Sequence, residues 1–80
     1  MAKYEPTTAY EVFGTYMTVG AVEERVPLIL CDGGSKDDWV YDAHRATRGT
    51  TLDGEEIRYR YRGLGILPDG RVVRVYSFIV

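Results

Sequence analysis

Eighty residues, 45% hydrophobic and 28% charged, make one small domain. Such a chain is neither disordered by composition nor large enough for a deep reaction cleft. A net charge of −2 argues against a general nucleic-acid binder, and a lone cysteine excludes an internal disulfide, which fits a reducing, cytoplasmic compartment.

Residues 1–80 read as a single α+β domain. Residues 1–8 form a loose lead-in, where Pro6 disfavours early regularity. Tyr10–Val19 is ambiguous. Phe13 and Met17 are spaced as on a helix, but Val12, Thr15, Thr18 and Val19 are β-branched and Gly14 interrupts the run, so a strand is expected. Gly20–Glu24 then turns. Val26–Cys31 is a second strand, its unbroken apolar run pointing to burial on both faces, with Pro27 at its start. Asp32-Gly33-Gly34 ends it. A helix is expected from Ser35, where Ser35 and Asp38 imitate a capping box and Asp37 and Asp38 suit the positive end of the helix dipole. Trp39, Val40, Ala43, Ala46 and Thr47 would share its buried face, with Arg45 and Arg48 in the last turn and Gly49 after it. Thr50–Glu56 connects, turning at Asp53-Gly54.

The rest, Ile57–Val80, is a long β-hairpin closed by Leu67-Pro68-Asp69-Gly70-Arg71, where Pro68 presets φ and Gly70 takes a positive one. Pairing Leu67 with Arg71 puts Ile57, Tyr59, Tyr61, Val73, Val75 and Ile79 on one face, the natural core face. Arg58, Arg60, Arg62, Arg74, Tyr76 and Phe78 fall on the other. Gly63 and Gly65 weaken that register, because a glycine inside a strand often marks a bulge and a one-residue slip exchanges the faces. The expected architecture is ββαββ: a four-stranded antiparallel sheet with one helix packed on one face. A second copy would pair with Val72–Val80 if that strand lay at the sheet edge.

Charge is unevenly distributed. Residues 1–56 hold eleven acids and five bases, whereas 57–80 hold five arginines and one acid. Such asymmetry suggests a charged partner at one end or the other. The acidic candidates are Asp32, Asp37, Asp38 and Asp42 around the expected helix start, with Glu55 and Glu56 before the hairpin. Carboxylates gathered in this way can occupy a basic nucleic-acid channel in place of phosphate. The competing surface is Arg58, Arg60, Arg62, Arg74, Tyr76 and Phe78, whose chemistry suits phosphates and stacked bases. A blander reading pairs Arg62 with Tyr76 and Arg60 with Phe78 as cation–π contacts on a solvent face. Catalysis has little support. Cys31 ends an apolar strand and His44 lies beside a helix face, so neither is placed to activate the other. No cofactor or metal set is recognisable: the 32–37 stretch fails as a calcium loop, and one Cys with one His cannot fill a zinc site. No apolar run is long enough to span a membrane, so no membrane partner is expected.

In profile, the acidic cluster Asp32, Asp37, Asp38 and Asp42, with aromatic supply from Tyr4, Tyr10, Tyr16 and Tyr41, resembles the small phage-encoded anti-CRISPR proteins. That group is compact, often acidic and motif-poor, so no residue role carries over. The resemblance implies a non-enzymatic inhibitor that binds a bacterial CRISPR effector complex and blocks its DNA channel. The high Arg-to-Lys ratio and absent Asn fit a GC-rich bacterial or phage genome. The alternative is a small nucleic-acid-binding domain using the arginine face of the hairpin.

Overall fold

A computed structural model of the chain describes residues 3–42, 47–48, 51–52 and 59–79. The elements in order are β1 (Glu5–Thr7), α1 (Ala9–Phe13), α2 (Val19–Arg25), β2 (Leu28–Asp32), a 3-10 turn (Gly34–Lys36), β3 (Val40–Asp42), β4 (Thr47–Arg48), β5 (Thr51–Leu52), β6 (Tyr59–Ile66) and β7 (Val72–Phe78). The α+β class holds, but the expected ββαββ order does not.

Two helices stand where a strand and a turn were expected. Thr8 caps α1, its hydroxyl accepting the Glu11 N–H at 3.1 Å, and Thr18 caps α2 by accepting from Ala21 at 3.2 Å. Gly14 is not an interruption. It ends α1 in the left-handed conformation (φ 78°), its N–H returning to the Tyr10 carbonyl at 2.8 Å. Thr18, which looked like a strand residue, is a cap, because a hydroxyl one turn ahead satisfies an otherwise unbonded helix N–H. Val22 on α2 and Val26 just after it then bury against Leu64, with Ala9, Phe13, Met17 and Val72 around them.

β2 forms as expected and is buried on both sides: Ile29 and Cys31 point to one face, Leu30 to the other. The expected helix from Ser35 is replaced. After β2 the chain turns through Gly33, Gly34 and Asp38, all with positive φ, and returns as β3 antiparallel to β2. The Cys31 N–H donates to the Trp39 carbonyl at 2.9 Å, and the Asp38 N–H to the Cys31 carbonyl at 2.8 Å, closing a tight hairpin. Ser35, Asp37 and Asp38 suit a tight turn as well as a helix cap, and pairing of β3 with β2 takes up the backbone groups a helix would have used. The remainder of the expected helix and its connection, Ala43–Ala46, Gly49, Thr50 and Asp53–Arg58, lies outside the described residues.

The sheet is mixed, not wholly antiparallel. Its order is β3-β2-β7-β6-β5-β4, with β1 also on β6, and β7 runs parallel to β2 while antiparallel to β6. The apolar final strand therefore lies in the interior, paired on both sides, and is not an edge open to a second copy. The loose lead-in is also corrected: Glu5–Thr7 pairs with Leu64–Ile66, and Tyr4 packs under the sheet against the cluster of Leu30, Leu67, Val73 and Val75.

The closing hairpin forms with the expected turn, Gly70 taking φ 92° and Leu67 bonding to Arg71. Its register holds from Ile66↔Val72 to Gly63↔Val75 and then slips by one, so that Tyr61 faces Tyr76 and Tyr59 faces Phe78. Arg62 is the extra residue, and Gly63, at φ 135°, accommodates it. The slip exchanges the faces beyond it. Tyr59 and Tyr61 join Leu64, Arg74, Tyr76 and Phe78 on the side carrying α2, while Val73 and Val75 face the other way. The expected cation–π pairs give way to aromatic pairs, Tyr61–Tyr76 at 5.6 Å and Tyr59–Phe78 at 5.5 Å between centroids.

Candidate functional site

Of the acidic candidates, the fold brings Asp32, Asp37 and Asp38 together at the β2–β3 loop. One cation sits among them. Lys3 Nζ lies 3.1 Å from Asp32 Oδ1 and 3.0 Å from Asp38 Oδ1, and hydrogen-bonds to Asp37. Asp37 also accepts the Gly33 N–H at 2.6 Å, so its carboxylate braces the loop from within. The hydrogen bond from Lys3, and then that from Gly33, hold the Asp37 carboxyl below the usual carboxylate range. The same carboxylates, Asp37 foremost, push the Lys3 ammonium above its ordinary value. With Lys36 on the same turn, three carboxylates against two ammonium groups leave a net charge of −1 among the described residues there.

The loop is anchored from below by Tyr59. Its buried hydroxyl donates to the Gly33 carbonyl at 2.5 Å and accepts the Lys36 N–H at 2.9 Å. Gly34 lies so close to the sheet that a β-carbon there would come within 2.5 Å of Phe78 Cδ1 and 2.7 Å of Tyr59 Oη. The turn is thus pinned by side-chain hydrogen bonds and steric contact. Beside the carboxylates stands Trp39. The sequence pattern put it in the core, but with β3 in place of a helix it is 54% exposed, with Lys36 Nζ 4.2 Å from its ring centroid. A large exposed aromatic next to uncompensated charge on a rigid turn has the anatomy of a protein-binding anchor.

The other acidic candidates do not join this cluster. Asp42 pairs with Leu28, at the opposite end of β2 from Asp32. Glu55 and Glu56 lie outside the described residues. Neither spacing nor pattern singled out Lys3, since a lone lysine in a polar lead-in carries no local signal.

The arginine surface is corrected. Arg74 and Tyr76 are buried, at 1% and 0% exposed. Arg74 Nε donates to the Val26 carbonyl at 2.7 Å, Nη1 to the Tyr76 hydroxyl at 3.2 Å, and Nη1 lies 3.4 Å from Glu23 Oε2. That last contact is an ion pair without hydrogen-bond geometry. Arg60, opposite Ser77, falls on the other face of the strand, and Arg62 occupies the bulge. Phe78, half-exposed, packs on Gly34. Arg58 lies outside the described residues, as does His44, while Cys31 is fully buried. The physical cause is the cover on that face of β7: α2 and Val26 lie over Arg74, and Tyr76 packs with Ile29 and Cys31, while the extra residue at Arg62 turns Tyr59 and Tyr61 to the same side.

Among the described residues, no helix is long and apolar enough to cross a membrane. The chain matches no family model, no curated protein and no solved structure.

Proposed function

We propose that the protein is a non-enzymatic inhibitor that docks on a basic surface of a partner through the β2–β3 loop. The observation that carries this reading is the placement of Asp32, Asp37 and Asp38 around one Lys3, beside exposed Trp39 on a turn already fixed in the free protein. Carboxylates held this way steer association with a positive channel, and Trp39 supplies apolar contact at its rim. The resemblance to anti-CRISPR proteins makes a bacterial CRISPR effector complex, with its basic DNA channel, the partner of choice. Docking there would mimic DNA and prevent target binding, in the cytoplasm of the host cell.

The test mixes the protein with purified effector complex and measures co-elution and target-DNA binding. Trp39 is the chain's one tryptophan, so its emission reports docking directly. Co-elution, loss of DNA binding and a blue shift of Trp39 are expected. Replacing Asp37 and Asp38 together by lysine should weaken binding by at least about tenfold, because like charges set face to face cost several kcal/mol. Unimpaired DNA binding with no co-elution ends the reading. The nucleic-acid alternative retains only exposed Arg60 and Arg62 of its described arginines, and nothing in the geometry favours it.

A further inference from the structure

The extra residue in β6 opens a gap on that strand's outer edge. β5 pairs at Arg60 and β1 pairs from Leu64 onward, so Tyr61, Arg62 and Gly63 have no outer-edge strand partner among the described residues. A cleft of about 290 Å³ lies there, lined by Met17, Val22 and Leu64 on its apolar side and by Thr8, Tyr61 and Arg62 on its polar side. A second cleft of about 150 Å³ shares Arg62, Gly63 and Leu64 with it, and a β-carbon added at Gly63 would meet no atom within 4 Å.

Two polar groups at the larger cleft are unspent. Exposed Arg62 makes no ion pair or hydrogen bond among the described residues, and the half-buried Tyr61 hydroxyl has no hydrogen-bond partner among them. Arg74 and Glu23, the charges that act on Tyr61, pair with each other. The cation without a counter-ion at this cleft is therefore Arg62. A small apolar pocket with a few convergent polar groups is the usual form of a ligand site, and this volume is too small for a nucleotide or a large cofactor.

We propose that this cleft binds a small monocarboxylic acid with an apolar tail. The tail lies over Met17, Val22 and Leu64, and the carboxylate sits between the Arg62 guanidinium and the Tyr61 hydroxyl. Charge-assisted hydrogen bonds from a guanidinium select a carboxylate over a neutral alcohol, and an alkylammonium is repelled. The site is separate from the β2–β3 loop and does not rest on the inhibitor reading.

The experiment titrates the nitrogen-15-labelled protein with hexanoate, hexan-1-ol and hexylammonium, following amide signals. Hexanoate should shift Thr8, Val22, Gly63 and Leu64 saturably, with a Kd of about 1 mM, as befits a ligand of so few atoms. Hexan-1-ol should bind about tenfold more weakly, and hexylammonium not at all. Arg62→Glu, at an exposed position that leaves the core untouched, should abolish hexanoate binding and admit hexylammonium. Tyr61→Phe should weaken hexanoate severalfold. No saturable shift at these signals, equal binding of hexanoate and hexan-1-ol, or hexanoate affinity unchanged by Arg62→Glu would each overturn the proposal.

Discussion

Replacing Arg74 by methionine tests whether α2 covers this face of β7. Were that face open to solvent, Arg74 would stand exposed. Its loss would then change stability by no more than about 0.5 kcal/mol, as surface substitutions do. In the observed fold Arg74 is 1% exposed and ties β7 to α2 through three partners: the Val26 carbonyl at the end of α2, Glu23 on that helix, and the Tyr76 hydroxyl on its own strand. Removing one member of a buried ion pair costs about 3–5 kcal/mol, because the partner charge and any freed carbonyl stay desolvated. Glu23 retains 22% exposure, so water can reach part of its carboxylate, and methionine fills most of the vacated volume. Both considerations point to the lower end, about 3 kcal/mol. A chain of this length holds about 4–12 kcal/mol in all, so the loss is a large fraction. Urea unfolding followed by circular dichroism would show it as a midpoint lowered by about 2 M, at a slope near 1.5 kcal/mol/M. In a Glu23→Gln background the same substitution should cost about 1–2 kcal/mol less, the coupling of the two charges. A midpoint for Arg74→Met within about 0.3 M of the parent would refute the burial of Arg74 under α2, and with it the inward turn of Tyr76.

The remaining predictions concern the loop. Gly34→Ala should destabilise by about 2–4 kcal/mol, since φ is 70° and the new methyl would meet Phe78 and Tyr59, whereas Gly63→Ala, which meets no side chain, should cost only about 1–2 kcal/mol for its backbone. Thermal melts separate the two by about 5 °C or more, and equal melting points would contradict the close packing of the turn on the sheet. Asp37 has its folded pKa lowered, so its stabilisation is complete above the unfolded value near pH 4 and drains away as pH falls through the folded value. Denaturant midpoints of the parent should therefore fall more steeply than those of Asp37→Asn between about pH 4 and pH 2, and parallel curves would show that Lys3 and Gly33 do not hold that carboxylate.

What the sequence revealed and what it hid divide along one physical line. The closing hairpin was legible because Pro68, Asp69 and Gly70 specify their turn locally, and β2 because an unbroken apolar run needs burial on both faces. The possibility of a slip was visible in Gly63, but its sense was not. Whether a strand glycine absorbs an extra residue depends on which side chains the opposite sheet face must bury. The helices were missed because a capping threonine and a strand threonine look alike until the chain direction beyond them is known. The helix expected at Ser35 failed for a related reason. Its cap signals are equally those of a tight turn, and pairing with β2 decided between them.

The same distinction governs the candidate site. A run of acids in sequence is not a patch, and the sum of charges over a segment says little about a surface. Of the six acidic candidates, three meet at one loop, one lies at the far end of β2, and two lie outside the described residues. Of the late arginines, Arg74 is spent inside the fold, so the apparent excess of positive charge in the last third is not presented as one face. Among the described residues, Asp69 and Glu23 pair with Arg71 and Arg74 while Arg60 and Arg62 stay exposed, so the arginine side is dispersed and the acidic side is gathered at one loop. Lys3 neutralises one of three loop carboxylates while fixing the position of the others, which preorganises the residual charge for a partner. Trp39 gains its meaning only from this setting. Packed on a helix it would be core, but at the rim of a pinned acidic turn it is the largest apolar surface a partner could bury there.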